Sequence, residues 1–213
     1  SRGLGDVYKR QSIERPIVFG NNDTPGVMLS SAAKEYLKVY GVLVGRNPLI
    51  FTNNDSGYET AIEFKKNGVN SIILDTRKDP KSEIIDEAKN LGIKIKFSYV
   101  VVAAKGYKKV KSADIAKISD NKEELGKVEN ISCDCICVSG FWTPTIHLAS
   151  QSGNKTKFKE DIDAFIPGVS KQNETTLGAA NGSFTLTETL KSSFEAGYEL
   201  SLIHISEPTR LLR

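Results

Sequence analysis

The chain has 213 residues, 39% of them hydrophobic and 26% charged, which suits one large or two small soluble domains with a buried core. No apolar run approaches the roughly 20 residues of a membrane span, and residues 1–11 lack the apolar stretch of a signal peptide. The formal net charge of +3 is concentrated at the ends. Arg2, Lys9, Arg10, Arg210 and Arg213 stand there against Asp6 and Glu207, so the remainder balances at 24 basic and 24 acidic residues of the 29 and 26 in the chain. Residues 1–11 and 200–213 share no pattern with their neighbours and read as translated adapter sequence, the alternative being a basic arm and a short C-terminal helix. A neutral remainder gives no support for nucleic-acid or membrane binding.

In chain order, residues 12–19 read as extended, with Pro16 opposing a helix. Residues 21–26 (NNDTPG) are turn chemistry. Ser30 or Ser31 can cap a helix through Ala32, Ala33, Tyr36 and Leu37 that stops at Gly41. A strand, a helix and a strand follow. Residues 48–52 form a short apolar strand. Residues 58–66 form an amphipathic helix with Ala61, Ile62 and Phe64 on its apolar face and Gly68 as its stop, and residues 70–75 form a second buried strand. Another helix carries Ile84, Ile85, Ala88 and Leu91 and ends at Gly92. Ile93, Ile95 and Phe97 alternate with polar residues, and 99–103, 110–118 and 131–138 complete a β-rich part. The order predicts an α/β fold with a mainly parallel sheet. Beyond Gly140 come a crossing segment at 141–144, a polar loop at 151–157, a short strand and turn at 165–168, and a glycine-rich start at 178–182 that opens a helix through Leu186, Leu190 and Phe194.

Cys133, Cys135 and Cys137 alternate, which predicts one shared face of a strand. They read as small buried hydrophobes. A soft-metal site lacks a fourth ligand, since His147 is the only histidine outside the ends. An odd cysteine count without a disulfide framework fits a reducing cytoplasm. His147 and Trp142 read as structural residues, Glu14-Arg15 as a surface pair or an anion contact, and 105–111 as a solvated hairpin.

The strand–helix–strand at 48–75 is the place for a dinucleotide-binding G-x-G-x-x-G. On TNNDSG (52–57) only the third glycine survives, as Gly57, while Thr52 and Asn54 fill the first two positions. Asp55 adds negative charge where the helix N-terminus would hold phosphate, and Asp55 or Ser56 can cap those donors instead. Asp75 supplies the acid expected at the end of the second strand. The residues therefore predict a structural unit with a dinucleotide fold and no pyrophosphate seat. Gly178, Ala179, Ala180, Asn181 and Gly182 form the second candidate: small residues before a helix admit close backbone approach by an anionic or carbonyl group, or simply pack.

Several strings occur together and in order: ERPIVF (14–19), NDTPGVM (22–28), FTNNDSGY (51–58), Cys133-Asp134, VSGFWTP (138–144), SQSGNK (150–155) and GAANGSF (178–184). Together they resemble the α subunit of heterotetrameric sarcosine oxidase, over about residues 12–199. The resemblance implies the two-dinucleotide-binding-domain flavoprotein fold of disulfide reductases, with this chain an internal fragment that carries a degenerate second Rossmann-like domain. It implies that residues 12–40 end the first half of an NAD-binding domain and cross over, 41–146 form the inserted domain, and 147–199 return to the NAD-binding domain. Gly178, Ala179, Ala180, Asn181 and Gly182 then face NAD, with no catalytic residue in the fragment. Phe141 stands where a second small residue is expected. For the full complex the resemblance implies FAD, FMN and tetrahydrofolate, partner subunits β, γ and δ, and oxidative demethylation of sarcosine to glycine in the cytoplasm. A related FAD/NAD-dependent amine or opine dehydrogenase, and a non-catalytic interaction module on a dead nucleotide fold, are the alternatives.

Overall fold

The structure is a computed structural model that describes residues 12–119, 124–169, 171 and 175–206, with the backbone alone for 200–206. The artefact reading of 1–11 and 207–213 therefore lies outside the described residues. The chain divides into two compact units, Glu14–Phe141 and the two flanking segments.

After β1 (Ser12–Glu14), the Glu14–Phe141 unit runs β2 (Val27–Leu29), α1 (Ser30–Tyr40), β3 (Pro48–Thr52), α2 (Ser56–Lys66), β4 (Ile72–Asp75), α3 (Glu83–Asn90), β5 (Lys94–Phe97), β6 (Tyr99–Lys105), β7 (Ser112–Lys117), β8 (Glu129–Ser132) and β9 (Cys135–Ser139). Five strands form a sheet in the order β2-β9-β3-β4-β5, with every pairing parallel. β6, β7 and β8 form an antiparallel sheet.

Strand alternation divides the core in two. Ile50, Ile73, Cys135 and Cys137 face the helices and pack with Tyr58, Ala61, Phe64, Ile85 and Ala88. Leu49, Phe51, Leu74, Ile136 and Val138 face the other way and pack with Val101, Ala113 and Ile115 of the three-stranded sheet. Both faces of the parallel sheet are covered, which is why its strands read as unbroken apolar runs.

Two expectations, of strand and cysteine placement, change here. The compact unit Glu14–Phe141 is wider than the inserted segment 41–146 that the resemblance implies. The reason is pairing: Val27, Met28 and Leu29 lie in parallel register with Ile136, Cys137 and Val138, and the buried Ser30 hydroxyl of α1 donates to Thr60 Oγ1 of α2 at 2.9 Å. The expected strand at 131–138 is two strands, because Cys133 and Asp134 form the bend between β8 and β9. The Asp134 carboxylate accepts the backbone N–H groups of Arg46 at 2.7 Å and Asn47 at 2.8 Å and so fixes the entry to β3. The three cysteines consequently do not share a face: Cys135 and Cys137 lie in the helix-side core, and Cys133 lies in the other.

Glu14 is neither a surface pair nor exposed. It is 4% accessible, and its Oε2 accepts the Ser31 N–H at 2.8 Å. A carboxylate from outside the helix thus caps α1, the role expected of Ser30 or Ser31. Residues 106–111 form the connection between β6 and β7, with Tyr107 exposed and Val110 buried.

In the flanking unit, β10 (Trp142–Pro144) is followed by α4 (His147–Gln151), a hairpin of β11 (Thr156–Lys159) and β12 (Ala164–Pro167), and α5 (Leu186–Ser206). His147 begins α4 and is exposed, so it is not a core histidine. α5 continues through residues 200–206. No helix of the described residues is long and apolar enough to cross a membrane.

Candidate functional site

β3, the loop at 53–55 and α2 reproduce the strand–turn–helix of a dinucleotide site. The crossing stands at the carboxyl edge of the parallel sheet. The chain runs from β3 to β4 and β5 on one side, while β9 and β2 lie on the other. Open α/β sheets bind nucleotides at such a switch point.

Gly57 performs the role of the third template glycine. A Cβ added there would lie 2.7 Å from both Cβ and Oγ1 of Thr52, so the helix start packs directly on the strand end. The space the other two glycines would leave is filled. Thr52 Oγ1 accepts the Asn54 N–H at 3.1 Å and donates to the Asn54 carbonyl at 2.9 Å. Asn54 Oδ1 accepts the Ser56 N–H at 2.9 Å and also the Ser56 hydroxyl, and Asn54 Nδ2 donates to the Ser139 carbonyl at 3.0 Å. Asn54 and Ser139 are buried. The helix N-terminus is therefore served by Asn54 and not by Asp55, which makes no side-chain cap.

Asp55 is turned instead toward Arg77, whose Nη2 lies 2.8 Å from Asp55 Oδ1 and 2.8 Å from Asp75 Oδ2. Asp75 is fully buried. It accepts the Tyr58 hydroxyl at 2.6 Å, the Arg77 N–H at 2.9 Å and Arg77 Nε at 3.0 Å. Burial disfavours the Arg77 guanidinium, but hydrogen bonds and charge from Asp75 and Asp55 outweigh it and hold the group above its ordinary range. An acid that must bind a ribose hydroxyl needs free lone pairs facing the crevice. Those of Asp75 are occupied from within the protein.

These residues do not fit a dinucleotide. The phosphate seat holds an asparagine side chain, and the ribose acid is committed to Tyr58 and Arg77. Tyr58, Arg77 and Ser139 were not singled out by the sequence. The two-residue spacing of Asp75 and Arg77 at a strand end was the available signal.

The same burial has a consequence at alkaline pH. Burial, and then the hydrogen bond to Asp75, raise the Tyr58 phenol well above its ordinary value of 10.0, and burial pushes the Cys133 thiol up from 9.0 to about 12. In the window above each ordinary value the unfolded chain releases a proton that the folded chain keeps. Stability from these groups is thus fully present below about pH 9. It is lost as pH rises, by about 1.4 kcal/mol per pH unit for each group inside its window. Urea midpoints between about pH 8 and about pH 11 are expected to fall. Cys133→Ala should make the part that begins near pH 9.0 shallower, the buried Cys137 thiol, also raised, keeping the remainder, and Tyr58→Phe should do the same to the part above 10.0; a level profile in the parent chain would be the opposite result.

The second candidate differs from its expected form. Gly178, Ala179, Ala180 and Asn181 make one turn of 3-10 helix, closed by Gly182 at φ 75°. α5 starts four residues later, at Leu186, with its first turn closed by the Glu188 N–H on Thr185 Oγ1 at 3.3 Å. The glycine segment is thus not the N-terminus of that helix. The left-handed backbone at Gly182 ends the turn, and its N–H bonds Ala179 O at 3.1 Å. A Cβ at Gly182 would approach Ile162 Cδ1 to 2.9 Å and Ile166 Cγ2 to 3.2 Å, so these side-chain ends would have to shift, and it is the positive φ that favours glycine here. Gly178 is buried, Ala179 and Ala180 are half-buried, and Asn181 is exposed.

No protein-family model matches the chain. Among solved structures, the thioredoxin reductase of T. acidophilum superposes with a TM-score of 0.70 at 16% identity, covering 92% of this chain and 64% of that one. The L-proline dehydrogenase of P. horikoshii gives 0.57 at 20%, covering 92% and 34%. The fold is therefore the α/β dinucleotide-binding fold of disulfide-reductase-type flavoproteins. In sequence the chain is 32% identical over 186 residues to sarcosine oxidase subunit alpha of Corynebacterium sp. (strain P-1), which is 86% of this chain and 19% of the relative. It is 37% identical over 175 residues to sarcosine oxidase subunit alpha of Rhizobium meliloti (strain 1021), which is 78% of this chain and 16% of the relative. The chain is thus similar to a segment of sarcosine oxidase α subunits and spans 16% to 19% of the length of these curated relatives.

Proposed function

We propose that this chain is the structural middle of a flavoprotein oxidoreductase, in which Glu14–Phe141 is scaffold. The observation that carries this reading is the filled crossing: Asn54 caps the helix that would hold pyrophosphate, and Arg77 occupies the acid that would hold ribose. A unit that keeps the packing of a dinucleotide fold while closing its ligand seat contributes shape and stability to a larger assembly. The similarity to sarcosine oxidase α subunits supports sarcosine as the substrate of that assembly, with oxidative demethylation to glycine, FAD and FMN carrying electrons to oxygen, and tetrahydrofolate taking the one-carbon unit. It likewise supports β, γ and δ subunits as partners in a cytoplasmic complex. The likeness in fold to the L-proline dehydrogenase of P. horikoshii supports a related amine dehydrogenase as the second reading.

In the full-length protein, Gly178, Ala179, Ala180, Asn181 and Gly182 are the part of this chain that meets NAD. Side chains this small permit close backbone approach. Ala179→Trp and Ala180→Trp are each expected to lower the NAD extracted per full-length protein by roughly tenfold, about 1.4 kcal/mol of binding, with Asn54→Ala leaving it unchanged. Equal NAD content in all of these variants would remove the assignment.

A further inference from the structure

A second concavity lies at the other end of the parallel sheet. A cavity of about 380 Å³ opens where β3, β4 and β5 begin, beside the turn that leads into β9. It is separate from the crossing at the carboxyl edge and independent of any nucleotide binding there.

The apolar part of its wall includes Leu49, Ile72, Ile93 and Ile131, with Cys133 beside them. The polar part is unusual. Ser71 is 6% accessible and lines the cavity, and its hydroxyl has no hydrogen-bond partner in the protein. A buried hydroxyl left unpaired is costly, and folded proteins supply such groups with a partner or a guest. Lys65 and Lys94 line the same cavity, Lys65 Nζ reaching Asn70 Oδ1 at 2.8 Å, and no acidic side chain is among the described lining residues. The carbonyl ends of α2 and α3 lie on this side of the sheet and lower the local potential. Lys65 and Lys94, both lining residues, offset them over an apolar wall.

We propose that this cavity binds a small organic carboxylate, its apolar body against Leu49, Ile72 and Ile131, its carboxylate toward Lys65 and Lys94, and a polar atom on the Ser71 hydroxyl. The opposing helix ends keep the affinity modest, with a dissociation constant on the order of 1 mM for a one-ring carboxylate.

The test is a titration of the 213-residue chain with sodium benzoate, followed by backbone amide NMR shifts and paired with benzyl alcohol and inorganic phosphate. Saturable shifts at Ser71, Ile72, Lys94 and Cys133 are expected with benzoate. The dissociation constant should rise about tenfold in a Lys65→Gln, Lys94→Gln double variant, and about tenfold in Ser71→Ala. Ser71→Ala should not lower the melting temperature, because it removes an unpaired hydroxyl. Shifts that never saturate, or benzyl alcohol binding as tightly as benzoate, would overturn the proposal. So would phosphate matching benzoate, which would make the site a simple anion trap. A Ser71→Ala chain that melts earlier yet binds benzoate unchanged would assign that hydroxyl to structure and overturn it as well.

Discussion

Gly57→Val is expected to destabilise the chain by about 3 kcal/mol, the upper end for overpacking a close contact. A Cβ at residue 57 meets Thr52 Cβ and Oγ1 at 2.7 Å and Thr52 Cγ2 at 3.0 Å. Thr52 cannot rotate away at low cost, because its hydroxyl is bonded to both the N–H and the carbonyl of Asn54. Either α2 lifts from β3 or the loop loses its internal bonds. Both are large against a total stability of about 5–15 kcal/mol. Thr52→Gly in the same chain should recover much of the loss, so that the two substitutions are non-additive by about 1–3 kcal/mol. Urea unfolding of the four chains measures this. Additive costs, or a Gly57→Val cost below about 1 kcal/mol, would mean that the close approach is not what holds the crossing shut.

Asp75→Ala is the second large effect. Removing one partner of a buried, hydrogen-bonded charge pair costs about 3–5 kcal/mol, mostly from the groups left behind. Those groups are the Tyr58 hydroxyl and the Arg77 guanidinium. The Arg77 side chain is 31% accessible and can still face Asp55, so the lower end, about 3 kcal/mol, applies. Asp75→Asn keeps an acceptor for the Arg77 N–H and should cost clearly less. In a Tyr58→Phe background, Asp75→Ala should also cost less, since one stranded donor is already gone. Equal costs for Asp75→Ala with and without the Tyr58 hydroxyl, read from denaturant midpoints, would show that the two groups are not coupled.

The strand–helix–strand at the heart of this unit was legible because periodicity and turn residues agree there. Ile50, Ala61, Ile73 and Ile85 fall on the helix-side core as the pattern demands. Gly57 was legible too, since the spacing template assigns it helix–strand packing and the geometry gives it that task. How the seat is closed was less visible. The sequence presents several capping candidates side by side, and the choice of Asn54 over Asp55 depends on Arg77 drawing the Asp55 carboxylate away. That contact joins residues 22 positions apart across the carboxyl edge, and local propensity carries no record of it. The same limit explains Glu14, whose bond to Ser31 exists only because the segment before β2 folds back on α1. It also explains the unit boundary, because the pairing of β2 with β9 spans more than 100 residues. At 178–182 the small residues were visible, but their 3-10 turn was not, since it is ended by the left-handed backbone at Gly182, which small-residue composition alone does not place.

The central claim is that the β3–α2 crossing retains a dinucleotide fold while its own side chains take the ligand's place. Calorimetric titration of the 213-residue chain with NAD, with the amides of Asn54 and Ser56 followed by NMR, tests it most directly. The account predicts no heat of binding at micromolar concentrations and unmoved Asn54 and Ser56 signals. A dissociation constant near or below about 10 µM, roughly −7 kcal/mol, together with shifts at those two amides, would contradict it.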